Sequence, residues 1–180
     1  MNQFEGSDDL YIDINTSDSE KTITIFDSGI GMSKDQIVEC LGTIAKSGSG
    51  EFKQLLDHEG DTAEAAENII GQFGVGFYSS FVVSDNVEVY SRSNKGETGV
   101  MWASDGTGEY QVSEVQNLDF ERGTKIVLKL RKDSLQFAKE VEVAKIIKKY
   151  SLFNKFPIRL NNQLVNNLEA IWYKEKREVT

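Results

Sequence analysis

An α+β two-layer sandwich is the fold that this 180-residue chain predicts, on three observations. Short segments alternate apolar and polar residues as half-buried strands do. Helical segments and glycine-rich turns are interleaved with them. The later strands follow one another as a meander rather than as the βαβ units of a doubly wound sheet. With 39% hydrophobic and 27% charged residues, the composition is that of a globular core. No internal repeat or clean domain boundary appears, so residues 1–180 read as a single domain.

Taken in order, LYIDI (10–14) and TITIF (22–26) are strands, with NTSDSEK between them as a hairpin loop. DSGIGMS follows as a glycine-rich turn. Ser33 and Gln36 make a capping-box pattern, which predicts a short helix from Lys34 to about Leu41. GTIAKSGSG (42–50) is a small-residue loop, and Phe52 to about Leu56 forms one or two helical turns. The acidic DHEGDTAEAAEN is a connection with a short helix. FYSSFVV, after GQFGVG, reads as the start of a buried helix.

VEVYSR (87–92), the Met101–Trp102 region, EYQVSEV (109–115) and TKIVLKL (124–130) then read as successive antiparallel strands. Turn residues fill the segments between them. A long helix is predicted from Asp133, with Gln136 in its first turn. Its apolar face would hold Leu135, Ala138, Val141, Ile146, Ile147 and Tyr150. Lys145, Lys148 and Lys149 crowd its C-terminal turns, where the helix dipole favours cations. FPIRLNNQLV closes the chain as a hairpin turning at Asn161-Asn162.

Charge and composition exclude several function classes. The net charge is −9. Residues 1–70 hold 15 acidic against 4 basic side chains, and residues 71–180 hold 14 against 16. Nucleic acid and anionic membranes both demand lysine and arginine, so neither is an expected partner. No apolar stretch approaches ~20 residues, and the acidic first twenty residues lack an apolar signal region. A single cysteine, Cys40, allows no internal disulfide and fits a reducing compartment. The single histidine, His58, lies in a polar run and rules out a His-rich metal site.

Three glycine motifs carry the chemistry. The glycine spacing of Gly71-Gln72-Phe73-Gly74-Val75-Gly76 suggests backbone brought close to something bulky and charged, or a tight turn packed on the sheet. It meets neither the dinucleotide G-x-G-x-x-G pattern nor the P-loop G-x-x-x-x-G-K-[ST] pattern. Asp27-Ser28-Gly29-Ile30-Gly31 puts a carboxylate at a strand end, beside backbone without side chains. A carboxylate only accepts hydrogen bonds, which suits an amino group such as that of adenine. The glycines would leave room for a flat ring. Gly123-Thr124 heads the strand TKIVLKL. Each motif alone is also an ordinary turn, and their combination is what is unusual.

IFDSGIGMS, LGTIAKSGSGEF and GQFGVGFYSSFVVSD together resemble the ATP-binding domain of the heat-shock protein 90 chaperones. That family belongs to the wider class of ATPases with gyrase, histidine kinases and MutL. The glycine boxes are shared across the class, whereas LGTIAKSG and GQFGVGFYS belong to the chaperone branch. The resemblance covers nearly the whole chain. The tail NNLEAIWYKEKREVT is more similar to the mitochondrial or bacterial branch, which implies a mitochondrial location, with a cytoplasmic one as the alternative.

The resemblance implies ATP or ADP with Mg²⁺ as ligand. It assigns Asp27 to the adenine amine, directly and through water, and Thr124 to the hydroxyl completing that network. Gly31 and Met32 line the base. Gly74, Val75, Gly76 and Phe77 form the backbone cradle for the phosphates. Lys46 lies near the phosphates on a lid over about residues 42–70, hinged by Gly42, Gly48 and Gly50. Clients, co-chaperones and a homodimer are implied for the full-length protein.

Two departures stand out. Cys40 occupies the place where the family usually has an asparagine facing the ribose. The family's first box, E-x-x-x-N on a helix before the first strand, is missing, since Glu5 is followed by Asp9 in a non-helical context. That box supplies the catalytic glutamate and the Mg²⁺-holding asparagine. The expectation is therefore a domain truncated at its N-terminus, without a catalytic residue of its own, and with apolar surface such as Ile23 or Ile25 uncovered. Two functions compete: the nucleotide-binding domain of an ATP-driven chaperone, and a non-hydrolysing remnant that binds nucleotide weakly or acts only through partners. A DNA-repair or topoisomerase ATPase of the same class is disfavoured by the acidic balance and by LGTIAKSG.

Overall fold

The computed structural model describes residues 10–42, 75–93, 98–151, 154 and 156–166. Among these residues eight strands form one mixed sheet: β1 (Ile12–Ser17), β2 (Thr22–Asp27), β3 (Ser84–Arg92), β4 (Gly99–Ser104), β5 (Gln111–Val115), β6 (Gly123–Leu130), β7 (Ile158–Leu160) and β8 (Gln163–Leu164). Their order across the sheet is β5-β4-β3-β6-β2-β1-β7-β8. Three short helices, α1 (Lys34–Ile37), α2 (Ser80–Val83) and α3 (Glu140–Tyr150), accompany it. The expected α+β class is thus realised.

Alternation puts Ile12, Ile14, Ile23, Ile25, Val87, Val89, Trp102, Ile126 and Leu128 in register on one face. That face belongs to a single apolar core, which also takes in Ile37 and Leu41 from the α1 segment, Ala138, and Val143 and Ile147 from α3. Ile23 is buried in it and Ile25 half-buried, so the uncovered surface expected at Ile23 is not found. The residues that seal this part of the face come from later in the chain: a 3-10 turn over Leu135–Ala138 packs against β1, β2 and β6.

Strand β6 departs from the expected meander. It returns to pair antiparallel with both β3 and β2 instead of extending beyond β5. The loop that makes this return is tied down by Arg92, whose guanidinium donates to the carbonyls of Phe120 (3.0 Å) and Gln116 (3.2 Å). The strands β1 and β2 also run further than expected, since Thr16 and Ser17 pair with Ile23 and Thr22. The final hairpin does turn at Asn161-Asn162, both at positive φ, and its first strand docks parallel to β1.

The long helix expected from Asp133 is broken. Residues Leu135–Ala138 form the 3-10 turn, Lys139 is extended, and the α-helix starts only at Glu140. The change of direction resets the helical phase. Val143 and Ile147, four residues apart, are the buried pair, while Val141, Ile146 and Tyr150 face solvent. The helix expected over FYSSFVV is likewise a 3-10 turn, Val75–Ser79, followed by the single turn α2 with no fully buried residue. Val82 is 69% exposed. Three successive apolar residues, Phe81–Val83, cannot all face the core from one helical turn.

Candidate functional site

Three inward-facing alternations end in a polar residue at the same level of the sheet. In β2 the series is Ile23, Ile25, Asp27. In β6 it is Leu128, Ile126, Thr124, and in β3 Val87, Val89, Ser91. The register places Asp27 opposite Thr124 and Thr124 opposite Ser91. A polar row is thus built at one margin of an apolar face, running from exposed Asp27 through half-buried Thr124 to buried Ser91, whose partners must come from the protein.

Ser91 is fully buried and lies at the centre of the hydrogen bonding. Its Oγ accepts the N–H of Met32 at 2.8 Å, donates to the carbonyl of Gly123 at 2.9 Å and lies 2.9 Å from Thr124 Oγ1. The Asp27 carboxylate accepts the N–H of Gly29 at 3.0 Å. Desolvation pushes its pKa above the ordinary carboxylate value, with the Gly29 bond pulling the other way. Asp27 nonetheless reaches solvent.

The turn after Asp27 is held from both ends. Ser28 is buried, and its Oγ accepts the N–H of Tyr11 at 2.9 Å. Ser33 and Gln36 complete the expected capping box, with Ser33 N–H on Gln36 Oε1 at 2.8 Å and Gln36 N–H on Ser33 Oγ at 3.4 Å. The α1 helix then widens into a π turn, Val38–Gly42. Cys40 is exposed on that turn.

Two glycines have a structural reason, which at Gly31 differs from the expected one. Gly31 has φ +64°, and a Cβ there would lie 1.9 Å from the carbonyl oxygen of Arg92. Gly123 has φ +119°, and its Cβ would lie 2.2 Å from the carbonyl oxygen of Asp27. The space a side chain would need is already filled by neighbouring backbone. Glycine here lets the turn press onto the ends of β2, β3 and β6.

The second motif lies elsewhere on the same side. Gly76 is exposed, and its carbonyl accepts the Ser79 hydroxyl. Phe77 packs edge-on to Trp102, with centroids 5.7 Å apart, and to Phe81 at 6.1 Å. Trp102 is 1% exposed and also stacks on Tyr110. It lies on β4, three strands from β2, or about 14 Å across the sheet. So Asp27, Gly31, Met32 and Thr124 converge around Ser91, whereas Gly76 and Phe77 sit over Trp102. Val75 opens the 3-10 turn. Lys46 and Gly74 lie outside the described residues, as does the expected lid beyond Gly42.

The sequence profile of the histidine kinase-, DNA gyrase B- and HSP90-like ATPases matches residues 6–136. The chain belongs to this ATPase family. Its relatives fall in the heat-shock protein 90 group of chaperones. It is 47% identical over 95% of its length to the mitochondrial heat shock protein 75 kDa of Bos taurus, covering 24% of that protein. It is 45% identical over 95% of its length to the chaperone protein HtpG of Desulfitobacterium hafniense, covering 27% of it. To the mitochondrial TNF receptor-associated protein 1 homolog of Dictyostelium discoideum it is 44% identical over 94% of its length, covering 23% of it. The chain thus spans about a quarter of the length of the relatives it matches.

Within this ATPase domain, the sequence reading missed Ser91, Ser28 and Trp102. The signal for Ser91 was present: it continues the Val87–Val89 alternation into the core, so its hydroxyl had to find buried partners. Ser28 carried no such signal, because its partner, Tyr11, is distant in sequence.

Proposed function

We propose that this chain is the adenine-nucleotide-binding domain of an ATP-driven chaperone. The observation that carries the reading is the cross-strand pair Asp27–Thr124, aligned on Ser91 and closed by the Gly29–Met32 turn. Asp27 accepts the amino group of adenine, and Thr124 completes the hydrogen bonding at that edge. Gly31 and Met32 border the base. Gly74, Val75, Gly76 and Phe77 cradle the phosphates with backbone N–H groups, helped by Lys46. Residues 42–70 act as the lid. All of residues 1–180 serve as one domain.

Among the described residues no three His, Cys, Asp or Glu side chains are placed to hold a metal ion. In this reading Mg²⁺ enters with the nucleotide, bound to its phosphates. The chain binds nucleotide in this reading, and hydrolysis, dimerisation and the handling of clients and co-chaperones belong to a whole protein of the relatives' length, of which the chain spans about a quarter. Two mitochondrial relatives favour a mitochondrial setting, and HtpG at 45% identity is the argument for a cytoplasmic one.

The test is calorimetric titration of MgADP into the chain and into Asp27→Asn. Wild type is expected to give saturable heats. The variant should bind at least about 100-fold more weakly, because it replaces a charged acceptor with an amide that can turn its own donor toward the base. Absence of saturable binding by wild type would overturn the reading.

A further inference from the structure

The hydrogen bonding around Ser91 fixes where each proton lies. A serine hydroxyl has one proton and two lone pairs. The Gly123 carbonyl can only accept, so at 2.9 Å it takes the Ser91 proton. The Met32 N–H can only donate, so at 2.8 Å it occupies one Ser91 lone pair. One lone pair remains, and Thr124 Oγ1 lies 2.9 Å away. Two oxygens at that distance need a proton between them, and the only one left is that of Thr124. Ser91 is fully buried, so solvent does not reach its oxygen, while the Thr124 end of its bond is only half-buried and borders the cleft.

We infer that Ser91 sets the base specificity of the site by holding the Thr124 hydroxyl proton away from the ligand. Thr124 then offers the cleft lone pairs only. Its cross-strand neighbour Asp27, as a carboxylate, offers lone pairs only as well. Both acceptors meet position 6 of the base, where the amino group of a 6-amino purine donates two protons. They oppose the carbonyl of a 6-oxo purine, which accepts at that same position. A free Thr124 hydroxyl would rotate and satisfy either base. Ser91 touches no ligand in this scheme and is a positioning residue: it acts through the polarity of Thr124. The inference rests on the nucleotide reading above and goes beyond it, by naming which residue makes that site discriminate.

The experiment is a set of titrations of MgADP and MgIDP, whose bases differ at position 6, into wild type, Ser91→Ala and Ser91→Thr. Wild type should prefer ADP. Ser91→Ala should narrow the ADP-to-IDP ratio about tenfold, the worth of one hydrogen bond, and Ser91→Thr, which keeps the hydroxyl, should restore it. A merely structural role would weaken both ligands equally and leave the ratio unchanged, which overturns the inference. If wild type binds neither nucleotide, the functional reading falls and this one with it. If wild type binds ADP and the ratio does not move, only this one falls. Circular dichroism checks that each variant folds. Should Ser91→Ala not fold, Ser91→Cys fills the same space with a weak donor and acceptor, and the same narrowing is expected.

Discussion

The two faces of the sheet both carry polar side chains, and they treat them in opposite ways. On the inner face, Asp27, Thr124 and Ser91 end apolar alternations, and Ser91 uses its whole hydrogen-bonding capacity on protein partners. On the outer face, Lys125 bonds Asp119 at 2.6 Å, Arg159 forms a two-pronged pair with Asp13, and Tyr90 donates to Glu88 at 2.7 Å. Burial, and then that bond to Glu88, push the Tyr90 hydroxyl up to about 12. Solvent reaches these outer groups. A groove of about 410 Å³ runs among Tyr11, Phe26, Phe120 and Lys125. Exposed cross-strand pairs of this kind contribute only tenths of a kcal/mol to about 1. A buried polar group left without its partner costs about 1–3 kcal/mol. The inner face is therefore the one where a single substitution propagates.

Gly31→Ala should be the most damaging change. The alanine would have to hold φ +64°, at a cost of about 1–2 kcal/mol. Its Cβ would also meet a backbone carbonyl that cannot swing away as a side chain would. Together these predict a loss of at least about 3 kcal/mol in urea unfolding of the chain, with nucleotide binding lost as the turn moves. A loss below about 1 kcal/mol would mean that the turn is not pressed onto β3, and the contrast between the faces would weaken at its root.

A smaller effect, of opposite sign, is expected at Asp27. Its folded-state pKa is raised, chiefly by desolvation, so the ionised carboxylate is disfavoured in the fold relative to the unfolded chain. That penalty is absent below the unfolded value near 3.8, sets in as pH rises through the folded value, and is complete above it. Asp27→Asn, while losing nucleotide, should therefore unfold at slightly higher urea than wild type at pH 7. The gap should close as pH falls below about 4. A variant less stable than wild type at pH 7 would show that the carboxylate is held for the fold and not for a ligand.

What could be read in advance follows from the range of the forces involved. Strand alternation, the Ser33–Gln36 box and the Asn161-Asn162 turn depend on neighbours a few residues apart, and each was legible. The break at Lys139 was not, because it is set by how Leu135 and Ala138 fit against β1, β2 and β6. The insertion of β6 between β3 and β2, and the parallel docking of β7 on β1, are pairings across long loops that no local pattern encodes. At the site, the glycine motifs gave Asp27 and Thr124. Ser91 belongs to none of those motifs, although the alternation of β3 alone puts it on the inner face. The glycines after Asp27 were expected to make room for a ring, yet at Gly31 the nearest obstacle is the protein's own backbone.

The outer face supplies the mildest test. Lys125 lies 5.6 Å from the ring centroids of both Tyr90 and Phe120 and bonds Asp119, whose carboxylate is 72% exposed. The lysine holds the Asp119 pKa below the ordinary value. For a depressed carboxylate the associated stability is present above the unfolded value of 3.8 and is lost as pH falls through the folded one. Lys125→Ala should cost under about 1 kcal/mol at pH 7 and low salt, less in 1 M salt, and should flatten the fall in stability below about pH 4. Nucleotide binding should stay within twofold of wild type, since Lys125 points away from Asp27 and Thr124 by the alternation of β6. A loss above about 2 kcal/mol, or a tenfold loss of ADP affinity, would place the outer pair on the same footing as the Ser91 network. The two faces would then differ in exposure but not in consequence.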